Sequence, residues 1–311
     1  MLLFFNFLRT SLRGLALLGV VGSMATVFGQ TIVVSYAGNA TVEKFSVTGS
    51  DLGIFANGFQ GLNNPAGIAV DSNGNVYVAN SLDSGLGSIS KFSASGTSLG
   101  TFVSGLSLPT GMAFDGAGNL YVASASTHQI SKFSSAGSLL GSLSASGLEN
   151  PSSLAFDAAG NLYVANLNGN TIEKFSSAGT SLGAFVSTQV SGPTGIAFDG
   201  AGRLYVANSN TGAINRFSAG GAFDSTFVST GLGTLGGLTI DANGNVYVAA
   251  ETQDVVAKYS AAGALLAQFS TSNASSPGYV GLLAAIPEPS TYVLGAGSLA
   301  LAVAILRRRR A

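Results

Sequence analysis

The chain of 311 residues has no cysteine, one histidine and only 9% charged residues. Without cysteine there is no disulfide framework, no thiolate nucleophile and no Cys-ligated zinc, so a fold of this size must hold together by its core. A single histidine, His128, leaves no His-rich metal site and one imidazole for acid–base chemistry. Positive charge is scarce where it would matter. Six of the thirteen basic residues are Arg9, Arg13, Arg307, Arg308, Arg309 and Arg310 at the chain ends. Residues 30–286 keep seven basic against thirteen acidic residues, near −6. Six of those seven (Lys44, Lys91, Lys132, Lys174, Arg216, Lys258) recur at one repeat position instead of clustering. A nucleic-acid surface needs clustered Lys and Arg to displace counterions, which excludes nucleic acid as a partner. Helical periodicity is also lacking between residues 30 and 286.

What is present is repetition. Asp-x-x-Gly-(Asn/Arg)-(Leu/Val)-Tyr-Val-Ala begins at Asp71, Asp115, Asp157, Asp199 and Asp241, at spacings of 44, 42, 42 and 42 residues. A second phrase, (Lys/Arg)-(Phe/Tyr)-Ser-x-x-Gly, places its aromatic at Phe45, Phe92, Phe133, Phe175, Phe217 and Tyr259. A fixed period of this length marks a repeat architecture. Residues 148–188 show one unit. Ser153–Asp157 is a short apolar run, and Asp157–Asn161 is a turn in which the carboxylate can bond amides two residues on while Gly160 takes a positive φ. Leu162–Ala165, Thr171–Phe175 and Leu182–Val186 are three further β-rich runs bounded by Gly, Ser and Asn. Four antiparallel strands in about 42 residues make one blade of a β-propeller.

Blade number follows from the ends of the repeat array. Six third strands face only five Asp-led first strands. The segment from Thr31 aligns onto the second strand of the fourth unit, so it lacks a first strand of its own. Tyr279–Ile286, preceded by Pro277, has no third-strand partner and can supply it, closing a six-bladed ring without a free sheet edge at the seam. A five-bladed ring with an irregular N-terminal cap is the competing arrangement. The units fall near 31–61, 62–105, 106–147, 148–188, 189–230 and 231–275. The small residues Ala69, Ala113, Ala155, Ala197 and Thr239 in the first strands suit the crowding around a propeller axis.

The repeat Pro-x-Gly-(Ile/Met)-Ala-(Val/Phe)-Asp-x-x-Gly-Asn-(Leu/Val)-Tyr-Val-Ala…Ile-x-Lys-Phe-Ser resembles the NHL-repeat group of six-bladed propellers over roughly residues 31–275. It is also similar to their gluconolactonase-like and streptogramin-lyase-like relatives. The resemblance implies an all-β fold; that fold serves binding, scaffolding and catalysis alike.

Both chain ends read as addresses. Residues 1–29 carry Arg9 and Arg13, an apolar run from Leu15 to about Val27 and small residues, the layout of a secretory signal peptide cleaved after Ala25 or Gly29. At the other end, Pro287-Glu288-Pro289 precedes the apolar stretch Tyr292–Leu306 and Arg307–Arg310. This resembles the PEP-CTERM sorting signal of Gram-negative bacteria. The resemblance implies an exosortase-type processing enzyme as partner, transient membrane insertion through a C-terminal helix, and delivery to the cell surface or extracellular matrix. The arginines would remain cytoplasmic under the positive-inside rule, leaving residues 30–286 outside.

Candidate site residues sit in loops on one face of the ring. Asn80, Asn166 and Asn208 follow Tyr-Val-Ala in three blades; Asp83, Glu149, Glu251 and Asp254 are the acids of nearby loops, and His128 precedes a third strand. Gluconolactonase-like relatives hold a divalent cation with such acids and amides, which the resemblance offers as an alternative function; repeat register instead makes the asparagines loop caps. The aspartate turns at Asp71 and Asp241 look like calcium loops, yet neither supplies both the glycine at position six and the acid at position twelve of the full motif, so weak divalent-cation binding is the most they imply. Between Tyr77 and Phe92 lie three more residues than in the other blades, within Ser81–Gly87, a candidate specificity loop. These features together give an expected function: an exported, surface-sorted propeller that binds a protein or polysaccharide without catalysis and without a required cofactor.

Overall fold

The computed structural model describes residues 30–81, 86–270 and 276–283. The signal segment, Asp83, the sorting motif Pro287–Pro289 and the arginine tail lie outside the described residues. Within them the chain forms six four-stranded antiparallel sheets, each one blade. Blade 1 combines Pro277–Leu283 with Thr31–Tyr36, Thr41–Ser46 and Asp51–Ala56. Blade 2 is Pro65–Val70, Val76–Asn80, Gly87–Phe92 and Ser98–Leu106, and blade 3 is Pro109–Phe114, Leu120–Ser124, Gln129–Phe133 and Leu139–Leu143. Blade 4 is Pro151–Phe156, Leu162–Asn166, Thr171–Phe175 and Ser181–Val186. Blade 5 is Pro193–Phe198, Leu204–Asn208, Ala213–Phe217 and Phe223–Ser229, and blade 6 is Leu235–Ile240, Val246–Ala250, Val255–Tyr259 and Leu265–Phe269. The ring is six-bladed and closed by both termini: Ile32 pairs with Leu282 and Val34 with Val280.

The Asp-x-x-Gly phrase builds the turn between first and second strands. Asp157 Oδ1 accepts the backbone N–H groups of Ala159 and Asn161 at 2.9 Å each, while Oδ2 accepts Asn161 Nδ2 at 2.8 Å and the Tyr163 hydroxyl at 3.1 Å. Asp241 repeats all four bonds. Every oxygen of these two carboxylates therefore has a donor within its own turn, which accounts for Asp, Gly, Asn and Tyr recurring together. The Ser-x-x-Gly phrase closes the turn between third and outer strands: Ser176 Oγ accepts the N–H of Thr180 at 3.1 Å.

Packing energy lies between blades. Six apolar clusters occupy the six seams, including that between blades 6 and 1, where Ile32, Val34, Tyr36 and Phe45 meet Tyr247, Val256 and Phe269. The second-strand tyrosine meets rings edge-on; Tyr163 packs on Phe185 of its own blade and Phe198 of the next, each at 4.8 Å between centroids. The recurrent lysine covers the other side of that ring, with Lys91, Lys132, Lys174 and Lys258 at 5.0, 4.9, 5.0 and 5.2 Å from Tyr77, Tyr121, Tyr163 and Tyr247. Such contacts stabilise by ~0.5–1 kcal/mol where exposed. The basic residues thus serve the blades.

Around the axis the first strands approach so closely that small residues are required. A Cβ on Gly67 would lie 2.0 Å from the Thr110 carbonyl oxygen, and one on Gly111 2.4 Å from that of Ser152. Each first strand is the end strand of its sheet, so one of its edges faces the axis without a strand partner. Two short 3-10 turns, Gly58–Gln60 and Glu251–Gln253, interrupt the otherwise all-β pattern.

Candidate functional site

The two ends of the ring differ in what their polar groups do. On the loop face, Asn80, Asn166 and Asn208 are buried. Their Oδ1 atoms accept the backbone N–H groups of Asn63 at 2.9 Å, Glu149 at 3.3 Å and Ser191 at 2.9 Å, in the connection that leads into each blade. Asn166 Nδ2 donates to the Gly147 carbonyl at 2.8 Å and Thr171 Oγ1 at 3.0 Å. The asparagines tie loops to strands and present no oxygen to solvent.

His128 belongs to the repeat as well. It has φ 54°, and its Nδ1 accepts the N–H of Asn150, in the next blade's connection, at 2.8 Å. Asn170 (φ 52°) and Asp254 (φ 54°) do the same with Gly192 at 2.7 Å and Ser276 at 2.6 Å. All three bonds span 22 residues. The histidine is one member of a set of staples between neighbouring blades, with its ring proton on Nε2.

Glu251 opens the short 3-10 turn of blade 6 and is half-buried. Burial pushes its carboxyl above the ordinary glutamate range. Asp83 is outside the described residues. Among the described residues no three His, Asp or Glu side chains stand close enough together to hold a metal ion.

A hydroxyl belt runs just inside this face. Thr110 Oγ1 donates to the Pro151 carbonyl at 2.7 Å, Ser152 Oγ to Pro193 at 2.7 Å and Thr194 Oγ1 to Leu235 at 2.8 Å, each joining one first strand to the next. Below the belt, the six first strands share one aligned position: Gly67, Gly111, Ser153, Gly195, Gly237 and Tyr279. Five are small and the sixth is a tyrosine. Tyr279 crosses the axis, its ring lying against Gly237 and its hydroxyl donating to the Ser152 carbonyl on the opposite blade at 2.5 Å. Burial, and then the charge of Glu251, push its hydroxyl well above the usual tyrosine range.

Beneath Tyr279 lies a chamber of about 340 Å³. Its lining starts at Tyr279, Gly111 and Ser153 and ends at Val70, Phe114, Phe156, Phe198 and Leu282, so it opens on the turn face, away from the predicted loop residues. No Asp, Glu, Lys, Arg, His, Asn or Gln lines it. Among the described residues, Asn80, Asn166 and Asn208 are distributed around the ring as caps and His128 and Asp254 as staples. Tyr279 was legible only as part of a closing strand. The signal that marks it is a bulky residue at a position that is Gly or Ser in the five other units.

The NHL repeat family model matches residues 62–89, within the first connection and blade 2. No curated protein matches the chain in sequence. Among solved structures, a chain of a nidogen–laminin complex is 19% identical with a TM-score of 0.71, covering 84% of this chain and 100% of that one. A virginiamycin B lyase from Staphylococcus aureus is 12% identical with a TM-score of 0.60, covering 84% and 93%. A gluconolactonase from Xanthomonas campestris is 17% identical with a TM-score of 0.59, covering 71% and 83%. At these identities the likeness is one of fold.

Proposed function

We propose that the protein is an exported, surface-sorted propeller acting as a non-catalytic binding module for an extracellular polysaccharide or matrix protein. The carrying observation is the use of the repeat's polar side chains. The aspartates close turns, the asparagines cap loops, the lysines cover tyrosines and the lone histidine staples two blades. A scaffold whose polar residues hold its own backbone suits display and recognition better than acid–base chemistry. Support also comes from the NHL repeat match, since propellers of this kind often mediate protein interaction, and from the likeness to a propeller in a two-protein complex.

The last strand, Pro277–Leu283, runs from the loop face and ends at Leu283 on the turn face. In this reading an exosortase-type enzyme acts at Pro287–Pro289, and Tyr292–Leu306 inserts transiently in the inner membrane. Tyr292–Leu306 is short for a permanent span, which takes about 20 apolar residues. The mature protein should therefore lack residues beyond about Ser290. Mass spectrometry of the native protein tests the sorting: intact Leu306 and Arg307–Arg310 in an integral membrane fraction would leave a simple anchor. The binding role is tested with the full chain on an array of bacterial polysaccharides and matrix proteins, where absence of any saturable partner would defeat it.

A further inference from the structure

We propose that the axial chamber is a binding site for a small neutral polyhydroxylated molecule, the size of one sugar ring, admitted from the turn face. The inference rests on the binding-module reading and names a ligand class for it. Three features carry it.

The first is the wall. Each of the six first strands turns toward the axis an edge without a strand partner, so backbone N–H and C=O groups line the chamber, apart from those already taken, such as the Ile196 N–H that Ser153 Oγ accepts at 3.2 Å. They are neutral donors and acceptors in alternation, as a ring of hydroxyls requires. The second is the absence of charge. No carboxylate, amine, guanidinium or imidazole lines the chamber, so an ion taken into it would lose hydration without a counter-charge, at a large cost.

The third is the blind end. Tyr279 replaces the glycine or serine of the other five blades and lays an aromatic ring across the axis, where the apolar face of a sugar can stack. The bond from its hydroxyl to Ser152 holds the ring in place before any ligand arrives, which removes part of the ordering cost. Thr239 adds a hydroxyl where Ala69, Ala113, Ala155 and Ala197 stand in other blades. At about 340 Å³ the chamber lies at the lower end of small-molecule sites, room for one sugar unit and not for a folded chain.

The test uses the purified full chain in detergent micelles with glucose, galactose, mannose, N-acetylglucosamine and glucuronate, read by saturation-transfer NMR and calorimetric titration. At least one neutral sugar should bind, and glucuronate should bind about tenfold weaker or not at all. Ala155→Leu, which adds bulk at a chamber-lining position, should weaken binding by about tenfold or more in a protein whose folding circular dichroism confirms. Should that variant fail to fold, Ala113→Leu fills the same level, and Thr239→Val removes the hydroxyl with little change in volume; each should weaken binding. Failure of every neutral sugar, and of every neutral polysaccharide, to bind would mean a chamber filled by water only and overturns the inference, as does equal binding by glucuronate or by the filled variants. Binding of a polymer but of no free sugar, lost in Ala155→Leu, would assign the chamber to a chain end. A polymer bound equally by wild type and the filled variant leaves the binding-module reading standing and removes the chamber from it.

Discussion

Tyr279 and Ser152 sit 127 residues apart in sequence and on opposite blades, yet the tyrosine hydroxyl donates to the serine carbonyl at 2.5 Å. That bond spans the axis of the ring, so one side chain both seals the channel and ties blade 1 to blade 4. Tyr279→Phe keeps the ring and loses the bond; a net hydrogen bond contributes ~1 kcal/mol. Tyr279→Gly also removes the ring, and an aromatic-to-small change in a packed site costs ~3–5 kcal/mol. Denaturant unfolding should give that order, with the Phe variant close to wild type. A Gly variant as stable as the Phe variant would show that the ring packs against nothing that matters.

The staple at His128 is predicted to tolerate its repeat equivalents. His128→Asn installs the residue that Asn170 already presents at φ 52°, with an oxygen to accept from Asn150. Stability should change little. His128→Ala loses the acceptor and places a β-carbon residue without compensating bonds at φ 54°, so it should destabilise by ~1 kcal/mol. If the histidine instead acted in catalysis or ligand binding, both variants would fail equally in a binding assay while remaining stable.

Much of this was legible in the sequence, for a physical reason. Asp157, Gly160, Asn161 and Tyr163 act within seven consecutive residues, so their spacing reports their geometry directly, and five copies of that pattern with six of the (Lys/Arg)-(Phe/Tyr)-Ser-x-x-Gly phrase give the blade count. The closing strand could be assigned because ring closure demands a partner for Thr31–Tyr36. What could not be read was anything set by the assembled ring. Lys91 lies over Tyr77 because register brings position 91 opposite 77. The Thr110, Ser152 and Thr194 belt forms only when neighbouring first strands converge. Tyr279 acquires its role from the axis, where five other strands leave room for one large ring. The loop asparagines read as caps or as ligands alike, since an amide next to a turn looks the same in either role; the bonds they make to the incoming connections show the cap.

Acid and base should act on stability in opposite senses at two classes of carboxylate. Burial raises the carboxyls of Asp115, Asp157, Asp199 and Asp241, but hydrogen bonds within their turns outweigh it and leave all four below the ordinary range. Their folded values lie below the unfolded one, so they stabilise above about pH 4 and lose that contribution as pH falls through the folded values. Glu173 runs the other way. Burial raises its carboxyl, only partly offset by a bond from Thr171, so the folded protein holds the proton more tightly than the unfolded chain. Its penalty is absent in acid, appears as pH rises past about 4.3 and is complete above the folded value. Glu173→Gln should therefore stabilise at neutral pH and change nothing near pH 3, whereas Asp157→Asn should destabilise at neutral pH and converge on wild type in acid. Thermal melts across pH read both, and a Glu173→Gln gain that persists unchanged into acid would place its cause in packing.

Removal of the closing strand is the most demanding test of the ring. Pro277–Leu283 covers Ile32, Val34 and Tyr36, all fully buried, and contributes Val280 and Leu283, themselves 6% and 3% exposed. Burying one such aliphatic side chain stabilises by ~1.5–3 kcal/mol, so loss of the two alone removes ~3–6 kcal/mol. It also bares one edge of Thr31–Tyr36 and opens the seam with blade 2 where Leu283 meets Val33, Ile68 and Val78. That is a large part of the 5–15 kcal/mol typical of a folded domain. A chain lacking 277–286 should therefore melt far below wild type and associate through the exposed edge, whereas one lacking 290–311 should match it, because it keeps every strand of the ring, Thr31 to Leu283. Circular dichroism melts and size-exclusion chromatography of the two truncations against the full chain, all in the same detergent, decide it. Equal melting of both would mean that five blades and the N-terminal strands form a stable unit by themselves, and that Pro277–Leu283 covers an edge without closing the ring.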